Sequence, residues 1–121
     1  MADSDRERLK GHLDLLLLSV LARGPAHGYA VIADLRAASG GAFDLREGTV
    51  YPALHRLERS DLLRSSWGRA GDSEHGRRRK VYALTAAGEA ALVTESSGWR
   101  RFADGVGSVL RTVGRPYGAS A

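Results

Sequence analysis

The chain of 121 residues has no cysteine, a net charge of +4 and an apolar fraction of 43%. That length makes one ordinary domain with a single core, the composition is globular rather than disordered, and the lack of thiols excludes a disulfide framework and a thiolate zinc site. The excess charge is almost all arginine, Lys10 and Lys80 being the only lysines, and its sign points to nucleic acid or another polyanion as partner.

Residues 1–8 read as a polar, mixed-charge tail without the apolar run of a signal peptide. In residues 9–22, Leu9, Leu13, Leu16, Leu17, Val20 and Leu21 recur at helical spacing. Leu15 and Leu18 lie off that stripe. They either widen the core face or meet a partner chain. The apolar stretch 13–21 is broken by Asp14 and far too short to span a membrane, so a cytoplasmic location and no membrane partner are expected. Gly24 and Pro25 end the helix. A second helix is expected over residues 27–39, with Tyr29, Ile32, Ala33 and Arg36 marking its turns, Leu35 beside them, and Gly40 and Gly41 as its stop.

Residues 46–60 form the segment around which the rest is arranged. Val50, Ala53, Leu54 and Leu57 follow i, i+3, i+4, i+7 and line one face of a helix. Thr49, His55, Arg56 and Arg59 fall on or beside the opposite face, as an offered surface would. Pro52 lies inside this segment, so the helix starts either near Tyr51 or near Glu47 with the proline accommodated.

Beyond it the period changes. Residues 63–67 and 80–84 read as two strands of a hairpin, joined by the Gly-rich loop 68–76 and followed at once by the cations Arg77, Arg78, Arg79 and Lys80. Thr85 is placed to cap a last helix, although Gly88 stands where a capping-box glutamate would be. In that helix Trp99, Phe102, Ala103, Val106, Val109, Leu110 and Val113 approach heptad spacing, which suits pairing with another chain. Gly98, Gly105 and Gly107 each weaken it by about 1 kcal/mol relative to alanine.

The fold class is thus mainly α with a small β-hairpin. Three helices followed by a two-stranded wing is the order of a winged helix-turn-helix, whose third helix enters the major groove while the wing follows the backbone. Arginine donates to guanine or phosphate, and threonine and tyrosine hydroxyls bond phosphate oxygens. The domain reading is a tail at 1–8, a winged helix-turn-helix at 9–85, a C-terminal dimerisation helix at 86–114 and a loose tail at 115–121.

Four stretches carry a family likeness: Gly11-His-Leu-Asp-Leu-Leu-Leu-Leu18, Gly24-Pro-Ala-His-Gly-Tyr29, Gly48-Thr-Val-Tyr-Pro-Ala-Leu-His-Arg-Leu-Glu58 and Arg79-Lys-Val-Tyr-Ala-Leu-Thr-Ala-Ala-Gly88. In these the chain resembles the PadR family of transcriptional regulators, in its short form with a single C-terminal helix. The resemblance implies a homodimeric repressor on a pseudo-palindromic operator in double-stranded DNA. It maps DNA contacts onto Thr49, Tyr51, His55, Arg56, Arg77, Arg78 and Arg79, and it favours the earlier start of the third helix. It also implies a dimer interface at which some members bind planar or aromatic small-molecule effectors. Trp99 stands where such members place an aromatic residue, with Leu15 and Phe102 as neighbours. Trp99 is then either a plain interface anchor or part of an effector site. Residues 89–113 keep less of the pattern, only Trp99 and the apolar repeat.

Other classes fare worse. The four histidines show no metal-ligand spacing, and no cofactor is expected. No Gly-x-Ser-x-Gly elbow or phosphate-cradling loop is present, and His12 with Asp14 is too close in sequence for a catalytic pair. A winged-helix interaction module that binds protein or a small molecule without an operator remains the alternative. The basic run at 77–80 speaks against it.

Overall fold

The structure is a computed structural model that describes residues 8–9, 11–68 and 79–113. Its elements, in chain order, are α1 (Leu13–Leu21), β1 (Ala26–His27), α2 (Gly28–Ala38), α3 (Glu47–Arg59), β2 (Leu63–Trp67), β3 (Lys80–Leu84) and α4 (Ala86–Val113). Helices α1, α2 and α3 close on one another and on the sheet, and their inward leucines and valines meet in one core with Leu45, Leu63 and Tyr82. The architecture is mainly helical with a small antiparallel sheet, the winged-helix arrangement expected from the order of periods.

The sheet has one strand more than the hairpin expected. β1 pairs antiparallel with β3, Ala26 opposite Tyr82 and His27 opposite Val81, in the order β1-β3-β2. Two residues are too few to show any alternation, so β1 leaves no periodic trace. β2 and β3 pair from Leu63 opposite Leu84 to Trp67 opposite Lys80, which brings the start of β3 out toward the wing.

In α2 most of the residues that mark its turns do not face the core. Gly28, Val31 and Leu35 face inward, whereas Tyr29, Ala33 and Arg36 are exposed. The helix starts directly from a strand, and that strand pairing sets its rotation about its axis. The His27 side chain caps it, Nδ1 accepting from the Ala30 amide at 3.2 Å. α3 adopts the longer of the two starts, with Pro52 inside the helix and Val50, Ala53, Leu54 and Leu57 buried.

The first turn of α4 is pinned to the α3–β2 turn. Thr85 donates its hydroxyl to the Asp61 carbonyl at 2.6 Å and accepts from the Gly88 amide at 3.0 Å, which makes it the cap. A Cβ on Gly88 would stand 2.0 Å from the Leu62 carbonyl oxygen. That close approach is why glycine replaces the capping-box glutamate. From this anchor α4 runs unbroken for 28 residues, about 42 Å. Its three later glycines do not interrupt it.

Candidate nucleic-acid interface

Helix α3 turns its apolar residues fully inward, and this fixes what it shows outside. Thr49, His55 and Arg59 are exposed. Arg56 is exposed too but leans sideways, its guanidinium paired with the Asp14 carboxylate on α1. On the opposite flank Tyr51 is half-buried, its ring laid against the first residue of α2, where a Cβ on Gly28 would come within 2.5 Å of it.

A cluster that periodicity did not reveal lies on that flank. Tyr29 is 54% exposed and meets Tyr51 edge-on at 6.4 Å between ring centroids. The Arg79 guanidinium stands 5.6 Å over the Tyr29 ring, and its Nη1 is 3.0 Å from His27 Nε2. A neutral imidazole has one acceptor nitrogen, so the α2 cap and the Arg79 contact compete for it. Glu47 beside the Tyr29 hydroxyl pushes that phenol above its ordinary pKa through hydrogen bonding and charge, and burial raises Tyr51. Both phenols are protonated at neutral pH, as unshifted phenols also are, and can donate to a phosphate oxygen, Tyr29 by giving up its hydrogen bond to Glu47. The signal for Tyr29 lay in its local motif, immediately after the glycine that Tyr51 needs.

The basic run is less open than its composition suggested. Arg77 and Arg78 lie outside the described residues. Arg79 is held as above, and Lys80 reaches back to Glu58 at 3.1 Å and over the Tyr82 ring at 5.6 Å. Glu58 also accepts from the Ser65 hydroxyl. That bond, then the Lys80 ammonium, holds its carboxyl below the ordinary 4.5. Lys80 thus ties β3 to α3 and fixes the wing base against the helix.

A second feature lies at the junction of α1 and α4. Trp99 packs on His12 at 4.7 Å and on Phe102 at 6.0 Å between centroids, and remains 42% exposed. An open cleft of about 540 Å³ on one side is lined by Asp14, Leu15, Leu18, Glu95, Trp99 and Phe102 among others. Another of about 530 Å³ on the other side is lined by Arg8, Leu9, Leu15, Leu16, Trp99 and Arg100 among others. Leu15, Trp99 and Phe102 are thus brought together as expected of neighbours. Leu18 differs from the partner-facing expectation: it is 1% exposed and spent in the chain's own core, reaching the first cleft only as part of its floor. Val106 lies beyond both clefts, in an apolar strip with Phe102, Val109 and Leu110. Among the described residues no group of three or more His, Asp or Glu side chains could hold a metal ion, and no helix is long and apolar enough to cross a membrane.

The family model described as "Transcriptional regulator PadR-like family" matches residues 17–94. A transcriptional regulator of Mycobacterium tuberculosis is 38% identical over 90 residues, which cover 74% of this chain and 78% of that protein. Among solved structures, a PadR family transcriptional regulator from Eggerthella lenta has a TM-score of 0.72 at 37% identity, covering 88% of each chain. A transcriptional regulator from Clostridium thermocellum shares the fold at a TM-score of 0.74 and 24% identity, over 84% of this chain and 96% of that one.

Proposed function

Because the chain belongs to the PadR-like family of transcriptional regulators, a family of transcription factors rather than enzymes, we propose that it is a homodimeric cytoplasmic repressor that reads a pseudo-palindromic operator. α3 lies in the major groove and the wing follows the flanking backbone. The observation that carries this reading is the polar surface around α3. Thr49, His55 and Arg59 stand exposed above a face whose apolar side is entirely buried, and Tyr29, Tyr51 and Arg79 border it. In this reading the two tyrosines and Arg79 bind phosphates, His55 and Arg59 reach base edges, and Arg56 joins them when DNA competes with Asp14. Lys80 positions the wing. Arg77 and Arg78, at the wing base in sequence, add phosphate contacts.

The distal half of α4 pairs with its counterpart in a second copy, which covers Phe102, Val106, Val109 and Leu110. The clefts beside Trp99 then border that interface and take a planar or aromatic effector whose binding releases the operator. Two recognition helices of such a dimer sit about one DNA turn apart, roughly 34–36 Å.

Fluorescence anisotropy with DNA from upstream of the chain's own gene, against a shuffled duplex at two salt concentrations, tests the reading. Tight, sequence-preferring and salt-sensitive binding is expected, with a slope of log K on log [salt] whose magnitude falls by about 1 in Arg78→Ala, the loss of one phosphate contact. Absence of binding to either duplex at low salt overturns it in favour of an interaction module.

A further inference from the structure

The outermost ridge of α3, opposite Val50, Leu54 and Leu57, is Gly48, Pro52, His55 and Arg59 at i, i+4, i+7, i+11, all exposed. Its first position carries no side chain, and nothing among the described residues explains why. Gly48 does not have the positive φ that Gly24, Gly40 and Gly41 share. A Cβ built on it meets nothing within 4 Å, whereas one on Gly28 would strike the Tyr51 ring at 2.5 Å and one on Gly88 the Leu62 carbonyl at 2.0 Å. Glycine in a helix is also less favourable than alanine, because it leaves more backbone freedom to be lost on folding. Gly98 and Gly105 in α4 are as open as Gly48, so openness alone assigns nothing; Gly48 is set apart by its place on the exposed ridge of α3 beside His55 and Arg59, the face that the DNA reading presents. Close backbone approach to a ligand is the use of glycine that remains.

We propose that Gly48 is a specificity-determining residue of the DNA interface. Its missing side chain is the clearance that seats the first turn of α3 against base edges in the major groove. This rests on the DNA reading above. The neighbouring groups divide the work accordingly: Tyr29, Tyr51 and Arg79 hold phosphates on the flank, and their grip sets the depth at which Gly48 meets the bases. A methyl group at position 48 lifts the helix from the base edges and leaves the phosphate contacts within reach of their flexible side chains.

The test is Gly48→Ala, measured by anisotropy on the upstream duplex and on its shuffled counterpart, beside a thermal melt. The expected result is a Tm equal to or above that of the parent chain. Affinity for the upstream duplex falls roughly tenfold or more, the scale of losing one base contact, and affinity for the shuffled duplex stays within about twofold. An unchanged ratio of the two affinities overturns the proposal, whether both are kept or both fall together. A lowered Tm also overturns it, since Gly48 would then serve the fold. If the parent chain itself fails to prefer the upstream duplex, the DNA reading has failed first and the assignment of Gly48 falls with it.

Discussion

Helices α3 and α4 are both amphipathic, yet the chain covers the apolar side of only one. In α3 Leu54 is 0% exposed, while in α4 Leu110 is 65% exposed. α3 sits between α1, α2 and β2, so its leucines close the core and its polar residues become the surface. The α4 residues that join the core, Gly88, Ala91 and Leu92, lie in its first half, and beyond Trp99 its apolar stripe is exposed. The same sequence device therefore has two uses. One helix anchors itself to display cations and hydroxyls, and the other displays an apolar face, the one that a second helix covers in the proposed dimer.

Several substitutions separate these two uses. The largest effect is expected of Leu54→Ala, which opens a cavity in the core and costs about 2–5 kcal/mol in chemical denaturation, independent of protein concentration. Leu110→Asp leaves each chain folded by circular dichroism but weakens association about a hundredfold, since two copies lose their buried leucine and gain a charge. A sedimentation profile like that of the parent chain would remove the distal α4 stripe from the interface. Trp99→Ala follows, with a loss near 2 kcal/mol in dimerisation or in effector affinity. Unchanged sedimentation together with unchanged ligand response excludes Trp99 from both roles.

The smallest effect is expected at the wing base, from Glu58→Gln. Ser65 and Lys80 favour the ionised carboxylate and lower its pKa in the folded chain. Its stabilising contribution is thus present above the ordinary 4.5 and is lost as pH falls through the lower folded value. The variant should melt slightly below the parent at pH 7, within about 1 kcal/mol, and the gap should close on acidification. A gap that widens in acid contradicts the assigned direction.

Spacing marks Tyr29, Ile32, Ala33 and Arg36 as successive turns of α2 but does not say which of its faces turns inward. The strand pairing of Ala26 and His27 turned the helix so that Gly28 faces inward and Tyr29 outward. The cluster of Tyr29, Tyr51, His27 and Arg79 joins residues more than fifty positions apart, and no local period encodes such a meeting. Arg56 and Lys80 were legible as cations, but their carboxylate partners Asp14 and Glu58 were not, because each pair crosses between elements.

What the amino-acid order alone determined was every element with a period long enough to register: α1, α2, α3, the β2–β3 pair and the apolar face of α4. The four-stretch likeness added the earlier start of α3. Burial of one face is a local requirement, so spacing announces it. Only tertiary structure decided the third strand, the rotation of α2, the loss of Leu18 into the core, and which cations are tied and which stand exposed. Those depend on which surfaces meet across the fold, where a single hydrogen bond or ring contact, rather than a repeat, selects the arrangement.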